Sequence, residues 1–274
     1  MIKLVATDLD GTFLNDDKSI SPENIEALEI LGRNNVVRVI ATGRNLQKTK
    51  EVIPDYIPFD FIVFSSGAGV ISWPSQQLIF RQNMDRHMVH DLARYLASEN
   101  LSFHLFKAVP DNHECWYYKE GEVNEEFDRY FVFHLENSEE IFLSKLPDQD
   151  ASQFLVIFPN DVLFFNEMKR KIEALFKDVK VLRTSSPLNT GYIWMEIFHK
   201  SVSKGNGVQF VCDHQEIGHH HTLGIGNDFN DIDLLNFTNI SYVVDNGPGE
   251  MKNKFLVGKS NAESAFAHII NQYV

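Results

Sequence analysis

The 274-residue sequence predicts an α/β chain in which a parallel-sheet core, built from both chain ends, carries a smaller α/β domain inserted between them. Three observations lead there. Short apolar runs with polar, glycine-bearing tips alternate with helical patterns over residues 1–82; an aromatic-rich texture takes over in 83–189; the short-strand pattern returns over 190–274. Strands alternating with helices point to a parallel sheet, because each return to the same edge needs a crossover.

Ile2, Leu4, Val5 and Ala6 read as the first strand, with Asp8-Leu9-Asp10-Gly11-Thr12 at its C-terminal tip. In an open α/β sheet that edge is where ligands bind. Extended backbone points residues i and i+2 to one side, so Asp8 and Asp10 can converge on one small volume. Two carboxylates that close repel unless a divalent cation or a retained proton holds them, and both arrangements suit phosphoryl transfer. Alone, the pentapeptide also reads as an Asp-Gly turn.

Ser21-Pro22 opens a helix with a capping hydroxyl and a proline at the first helical position. Ile25, Leu28 and Leu31 recur at helical spacing, and Asn34-Asn35 can stop the helix. The β-branched run Val36 to Ala41 is a buried strand ending in Thr42-Gly43-Arg44, followed by a helical stretch from Asn45 to Val52. Phe61 to Phe64 is a third strand, ending in Ser65-Ser66-Gly67. In the middle segment Phe103, Phe106, Trp116, Tyr117, Tyr118 and Tyr130 accompany two amphipathic helices, Met84 to Asn100 and Asn160 to Lys177. After Gly191, the run Thr222 to Ile225 leads into Gly226-Asn227-Asp228-Phe229-Asn230-Asp231, and Ser241 to Val244 leads into Asp245-Asn246-Gly247.

A formal net charge of −13 argues against a nucleic-acid surface, since phosphate backbones are bound by excess Lys and Arg. A phosphorylated small molecule needs only a few local cations and stays open. No apolar run approaches bilayer length, and the N-terminus lacks a signal-peptide pattern. The two cysteines, Cys115 and Cys212, form neither a disulfide framework nor a C-x-x-C metal pattern. The expected location is cytoplasmic, with no nucleic-acid or membrane partner.

Four polar tips supply what phosphoryl transfer needs, a reaction dominated by positioning and charge stabilisation. Asp8 serves as a carboxylate nucleophile. Asp10 serves as the acid that protonates the departing alkoxide and then deprotonates water. The hydroxyl of Thr42 and the backbone N–H groups beside it hold phosphate oxygens, Lys204 cancels charge, and oxygen ligands around Asn227 complete a magnesium site with Asp8. His219-His220-His221 invites a metal reading, but neighbours on a strand alternate faces, which favours a surface role.

Together, Asp8-Leu9-Asp10-Gly11-Thr12, Thr42-Gly43-Arg44, Val202-Ser203-Lys204-Gly205 and Gly226-Asn227-Asp228-Phe229-Asn230-Asp231 resemble the haloacid dehalogenase superfamily of phosphatases, in its Cof-type branch. The resemblance covers about residues 1–82 and 190–274. It implies a Rossmann-like parallel-sheet core and an α/β cap inserted after the third core strand, over 83–189. It further implies a transient aspartyl-phosphate on Asp8 and acid/base work by Asp10. Thr42, Gly43, Lys204 and Asn230 would bind the phosphoryl group. Mg²⁺ would sit between the Asp8 carboxylate, the Asp10 backbone carbonyl and the first acidic residue of the fourth motif. That position here is Asn227, an amide where the family usually has Asp, which implies a weakened or retuned metal site, helped by Asp228 or by Asp231 acting through water.

The expected activity is Mg²⁺-dependent hydrolysis of a small phosphorylated metabolite, a sugar phosphate or similar phosphomonoester. A phosphomutase, or a non-catalytic sensor of a phosphorylated ligand with a weakened metal site, are the alternatives. A cap closing over the tip would exclude water and select the substrate, with Phe103, Trp116 and Tyr118 as candidate contacts.

Overall fold

A computed structural model describes residues 1–121, 124–133, 135–186 and 191–274, and the chain divides into two units, Met1–Arg81 with Ser203–Val274, and Gln82–Val202. In the first unit, β1 (Leu4–Thr7) is buried along its whole length, as an apolar run covered on both faces must be. Helix α1 (Pro22–Arg33) begins where the sequence signals it: the Ser21 side chain accepts from the Asn24 N–H, a cap worth about 1 kcal/mol. Asn34 ends it, and Asn35 turns left-handed at φ 56°. Strand β2 (Val37–Ala41), helix α2 (Leu46–Lys50, capped by Asn45) and strand β3 (Phe61–Phe64) follow. Two strands absent from the sequence reading then extend the sheet antiparallel, β4 (Gly69–Ser72) and β5 (Gln77–Arg81). The insertion therefore follows β5 rather than β3.

The second unit comprises α3 (Arg86–Ser98), β6 (Phe103–Lys107), β7 (Cys115–Tyr118), α4 (Glu125–Phe133), β8 (Ser138–Glu140), β9 (Ala151–Pro159), α5 (Val162–Leu175), β10 (Val179–Ser185) and β11 (Tyr192–His199). Its strands lie in the order β10-β11-β9-β6-β7-β8, antiparallel except between β7 and β8. Strand alternation sorts the side chains onto two faces. Phe103, Leu105, Phe154, Val156, Met195 and Ile197 pack with Val89, Leu92 and Leu96 of α3 and Phe165, Met168 and Ile172 of α5. On the other face Phe106, Leu155, Ile157 and Trp194 pack with Tyr130 of α4. The candidate substrate aromatics are core residues: Phe103 and Trp116 are buried, and Tyr118 stacks on Phe103. β11 pairs within this sheet, so the return to the core comes at Ser203 and not at 190; the expected 189/190 boundary itself lies outside the described residues.

The first unit resumes with α6 (Lys204–His214), β12 (Thr222–Gly226), α7 (Ile232–Phe237), β13 (Ile240–Val243), α8 (Gly249–Lys252), β14 (Leu256–Val257) and α9 (Ala265–Ile270). Its sheet runs β14-β13-β12-β1-β2-β3-β4-β5, with every pair from β14 to β3 parallel. From β1 the chain winds through β2 to β3 on one side, and from β12 through β13 to β14 on the other. The β1/β12 boundary is thus the topological switch point, where the crevice beyond the strand ends is free to take a ligand. Among the described residues no helix is long and apolar enough to cross a membrane. The histidine run forms a short 3₁₀ turn, not a strand end; His219 and His220 are exposed, and His221 Nδ1 lies 2.8 Å from the Met1 carbonyl oxygen.

Candidate active site

Parallel pairing brings the polar tips to one edge. Thr7 lies opposite Ile225 and Ile40 in the β12 and β2 ladders, so the residues after β1, β2 and β12 emerge side by side. Asp8 follows β1, its N–H donating to the Ile225 carbonyl at 2.9 Å. Thr42-Gly43-Arg44 follows β2, Ser65-Ser66-Gly67 follows β3, and Asn227 follows β12.

Lys204 reaches this edge from the start of α6, where Ser203 caps the helix by accepting from the Asn206 N–H. Far from being a solvated helix-start lysine, Lys204 is 1% exposed. Its ammonium donates to Asp8 Oδ1 at 2.6 Å, Asp231 Oδ1 at 2.5 Å and Asn230 Oδ1 at 3.3 Å. Two glycines make this approach possible. A Cβ on Gly67, whose φ is +101°, would lie 2.2 Å from the Ser203 carbonyl oxygen, and one on Gly205 would lie 2.4 Å from that of Asp233. Burial pulls the Lys204 ammonium toward its neutral form, but Asp231 and Asp8 outweigh it and hold the proton more firmly than usual.

Burial pushes the Asp8 carboxyl up to about 7, against the pull of Lys204 and with a further push from Asp231 and Asp10. Asp231 is committed through both oxygens. Oδ1 meets Lys204, while Oδ2 accepts from the N–H groups of Asn227 at 2.8 Å and Asp228 at 3.0 Å. Asp231, expected to act on the metal through water, thus anchors Lys204 and shapes the loop that carries Asn227.

Asp10 lies in a different electrostatic setting. Arg44 grips it with two hydrogen bonds, Nε to Oδ2 at 2.6 Å and Nη2 to Oδ1 at 2.8 Å, and Lys18 adds a third at 2.8 Å. Burial alone would raise its pKa, yet Arg44 and then Lys18 reverse the shift and bring it down to about 2. The sequence reading assigns Arg44 and Lys18 no role of their own. For Arg44 the signal was present, an arginine on the tip next to a carboxylate tip; for Lys18 nothing local to it carried one.

The predicted phosphate-binding groups also converge. Thr42 is buried, its Oγ1 accepting from the Arg44 N–H at 3.1 Å, which leaves its own proton to donate. A Cβ placed on Gly43 would lie 3.5 Å from Asn230 Nδ2 and 3.7 Å from Ser66 Oγ, so both side chains face the Gly43 backbone. On the other side of the edge, Asn227 packs against Gly11, whose φ of +70° no side chain adopts cheaply; a Cβ there would sit 2.5 Å from Asn227 Nδ2. Gly11 is fixed in turn by Asn246 Nδ2, which donates to its carbonyl at 2.7 Å.

The residues expected to hold Mg²⁺, through the Asp8 carboxylate, the Asp10 carbonyl and the Asn227 amide, offer hard oxygen donors, the chemistry that ion prefers. Among the described residues no group of three His, Cys, Asp or Glu side chains is disposed around one ion.

The family model for haloacid dehalogenase-like hydrolases matches residues 5–270. The sequence is 27% identical over 292 positions to 5-amino-6-(5-phospho-D-ribitylamino)uracil phosphatase YwtE of Bacillus subtilis (strain 168), covering 99% of this chain and 98% of that protein. In fold it is similar to SMU.1108c from Streptococcus mutans UA159, with a TM-score of 0.82 at 21% identity over 100% of this chain and 99% of the other. It is also similar to the subclass IIB sugar phosphatase BT4131, with a TM-score of 0.77 at 17% identity over 99% of this chain and 98% of the other.

Proposed function

The chain belongs to the haloacid dehalogenase-like hydrolases, as a phosphatase of their Cof-type branch, and from that premise we propose that it hydrolyses a phosphorylated sugar or polyol through an aspartyl-phosphate on Asp8. The observation that carries the reading is the placement of Asp8 at the switch point, buried, with Lys204 2.6 Å from one oxygen. The second oxygen of Asp8 attacks phosphorus as the bond to the leaving oxygen breaks. Lys204, the Thr42 hydroxyl and the Asn230 amide stabilise the charge that builds on the phosphoryl oxygens. Water then attacks the same phosphorus, and Asp8 is released with inorganic phosphate.

Asp10 handles the proton in both halves. It gives one to the departing alkoxide and takes one from the attacking water. With Arg44 and Lys18 on it, Asp10 is an ionised carboxylate, the form the second half needs. The first half needs the protonated form, so Arg44 must let go when substrate arrives.

Mg²⁺ held by the Asp8 carboxylate, the Asp10 carbonyl and the Asn227 amide would supply charge screening between nucleophile and phosphate. Asp228 adds negative charge beside Asn227. The substrate class rests on the relatives: one is named for a phosphoribityl compound and another as a sugar phosphatase. The test is phosphate release from p-nitrophenyl phosphate and a panel of sugar and polyol phosphates, with and without Mg²⁺, beside Asp8→Asn. Release that requires both the metal and Asp8 supports the reading. Metal-loaded, folded protein that releases nothing from any of them overturns it.

A further inference from the structure

Ser66 carries two costs at once. Its backbone is left-handed, at φ 54° and ψ 22°, between Ser65 at φ 49° and Gly67 at φ 101°. For a residue with a Cβ that conformation is strained. Its hydroxyl is also wholly buried without any hydrogen-bond partner. An unbonded buried hydroxyl costs about 1–3 kcal/mol. Glycine or asparagine would adopt this backbone more readily, and an apolar side chain would remove the orphaned group.

The loop is not slack. The Ser66 N–H donates to the Thr42 carbonyl at 2.9 Å, and the Ser65 N–H donates to that of Arg44 at 2.8 Å. Gly67 behind it is packed against the Ser203 backbone. This pinning directs Ser66 Oγ to the face of Gly43 that Asn230 Nδ2 also approaches. A hydroxyl held there by a strained backbone and left without a partner is built for a ligand atom that arrives later.

We propose that Ser66 is a substrate-binding residue whose hydroxyl donates a hydrogen bond to an oxygen of the transferred phosphoryl group, completing a cradle with Thr42, Gly43, Asn230 and Lys204. The assignment rests on the phosphatase reading above. A phosphate oxygen satisfies the orphaned hydroxyl, and a hydrogen bond to a charged acceptor is worth about 1.5–3 kcal/mol, or roughly ten- to a hundredfold in affinity.

Ser66→Gly separates ligand binding from architecture. Glycine relieves the left-handed strain, so the melting temperature holds or rises, while inorganic phosphate binding measured by calorimetry weakens roughly ten- to a hundredfold. The kcat/KM for p-nitrophenyl phosphate falls by a similar factor. Ser66→Asn, which tolerates the same backbone and restores a donor, recovers much of both. Phosphate affinity and kcat/KM within twofold of the parent in a folded Ser66→Gly protein overturn the assignment. A melting temperature that drops in step with affinity overturns it too, since Ser66 would then be structural. The calorimetric arm needs no turnover, so loss of the phosphatase reading and loss of the Ser66 assignment give different results.

Discussion

Replacing Lys204 by methionine removes the ammonium that lies 2.6 Å from Asp8 and 2.5 Å from Asp231, with side-chain exposures of 1%, 6% and 0% for the three residues. Methionine fills similar volume, so the change is one of charge. Breaking a buried pair by deleting one partner costs about 3–5 kcal/mol, because the remaining charge has neither water nor a counterion. At about 2–4 °C per kcal/mol, the melting temperature drops by roughly 6–20 °C. The loss has a sign in pH. Without Lys204, the Asp8 carboxyl loses the pull that opposes burial, so it keeps its proton to a still higher pH than in the parent. The unfolded chain ionises near pH 4 while the folded chain resists, and stability falls as pH rises through that window. The deficit relative to the parent is therefore larger at pH 8 than at pH 5. Thermal and urea unfolding at the two pH values measure it. A deficit below about 1 kcal/mol, or one identical at pH 5 and 8, refutes the view that Lys204 neutralises two buried carboxylates.

Three further outcomes are expected. Asn227→Asp adds a full charge to the oxygen-donor set and tightens Mg²⁺ binding by calorimetry; in the parent, Mg²⁺ affinity rises with pH and levels above about 7, where Asp8 no longer holds a proton. Arg44→Met removes the two-pronged grip on Asp10, whose pKa then rises from about 2; because the first half uses protonated Asp10, the alkaline limb of kcat/KM against pH for an alkyl phosphate moves upward with it. An unmoved limb would detach Asp10 from that limb. Gly67→Ala drives a Cβ into the Ser203 carbonyl oxygen at 2.2 Å, and strain plus overpacking cost roughly 2–4 kcal/mol. Urea unfolding within about 0.5 kcal/mol of the parent, the size of a surface substitution, would mean the loop moves aside freely.

Local chemistry made much of the core readable. Ser21-Pro22 announced α1, the apolar run from Leu4 announced β1, and Asp8-Leu9-Asp10 marked the sheet edge at which the polar tips meet. What escaped the sequence depends on partners distant along the chain. Tyr192 to Phe198 is apolar apart from Glu196, as a core strand could be, and only its pairing with β9 and β10 assigns it to the second sheet. Nothing in Gly69 to Arg81 distinguishes an antiparallel extension from the start of an insertion. Asp231 looked like a spare carboxylate four residues after Asn227. Its commitment to Lys204, 27 residues earlier, appears once α6 packs against α7 and the turn Phe229–Asp231. The Arg44 grip on Asp10 spans 34 residues and likewise needed the β1–β2 register. The orphaned Ser66 hydroxyl is an absence, and no residue pattern announces one.

The account turns on a covalent phosphoryl group at Asp8. Asp10→Asn, which impairs activation of water, lets that species accumulate when the leaving group is acidic enough to depart unaided. Asp10→Asn protein is mixed with an aryl phosphate labelled at phosphorus, quenched in acid and digested. Label on the peptide containing Asp8, removable by hydroxylamine and missing from an Asp8→Asn, Asp10→Asn double variant, is the expected result. A burst of aryl alcohol with no label on that peptide, or label on another residue, contradicts the mechanism.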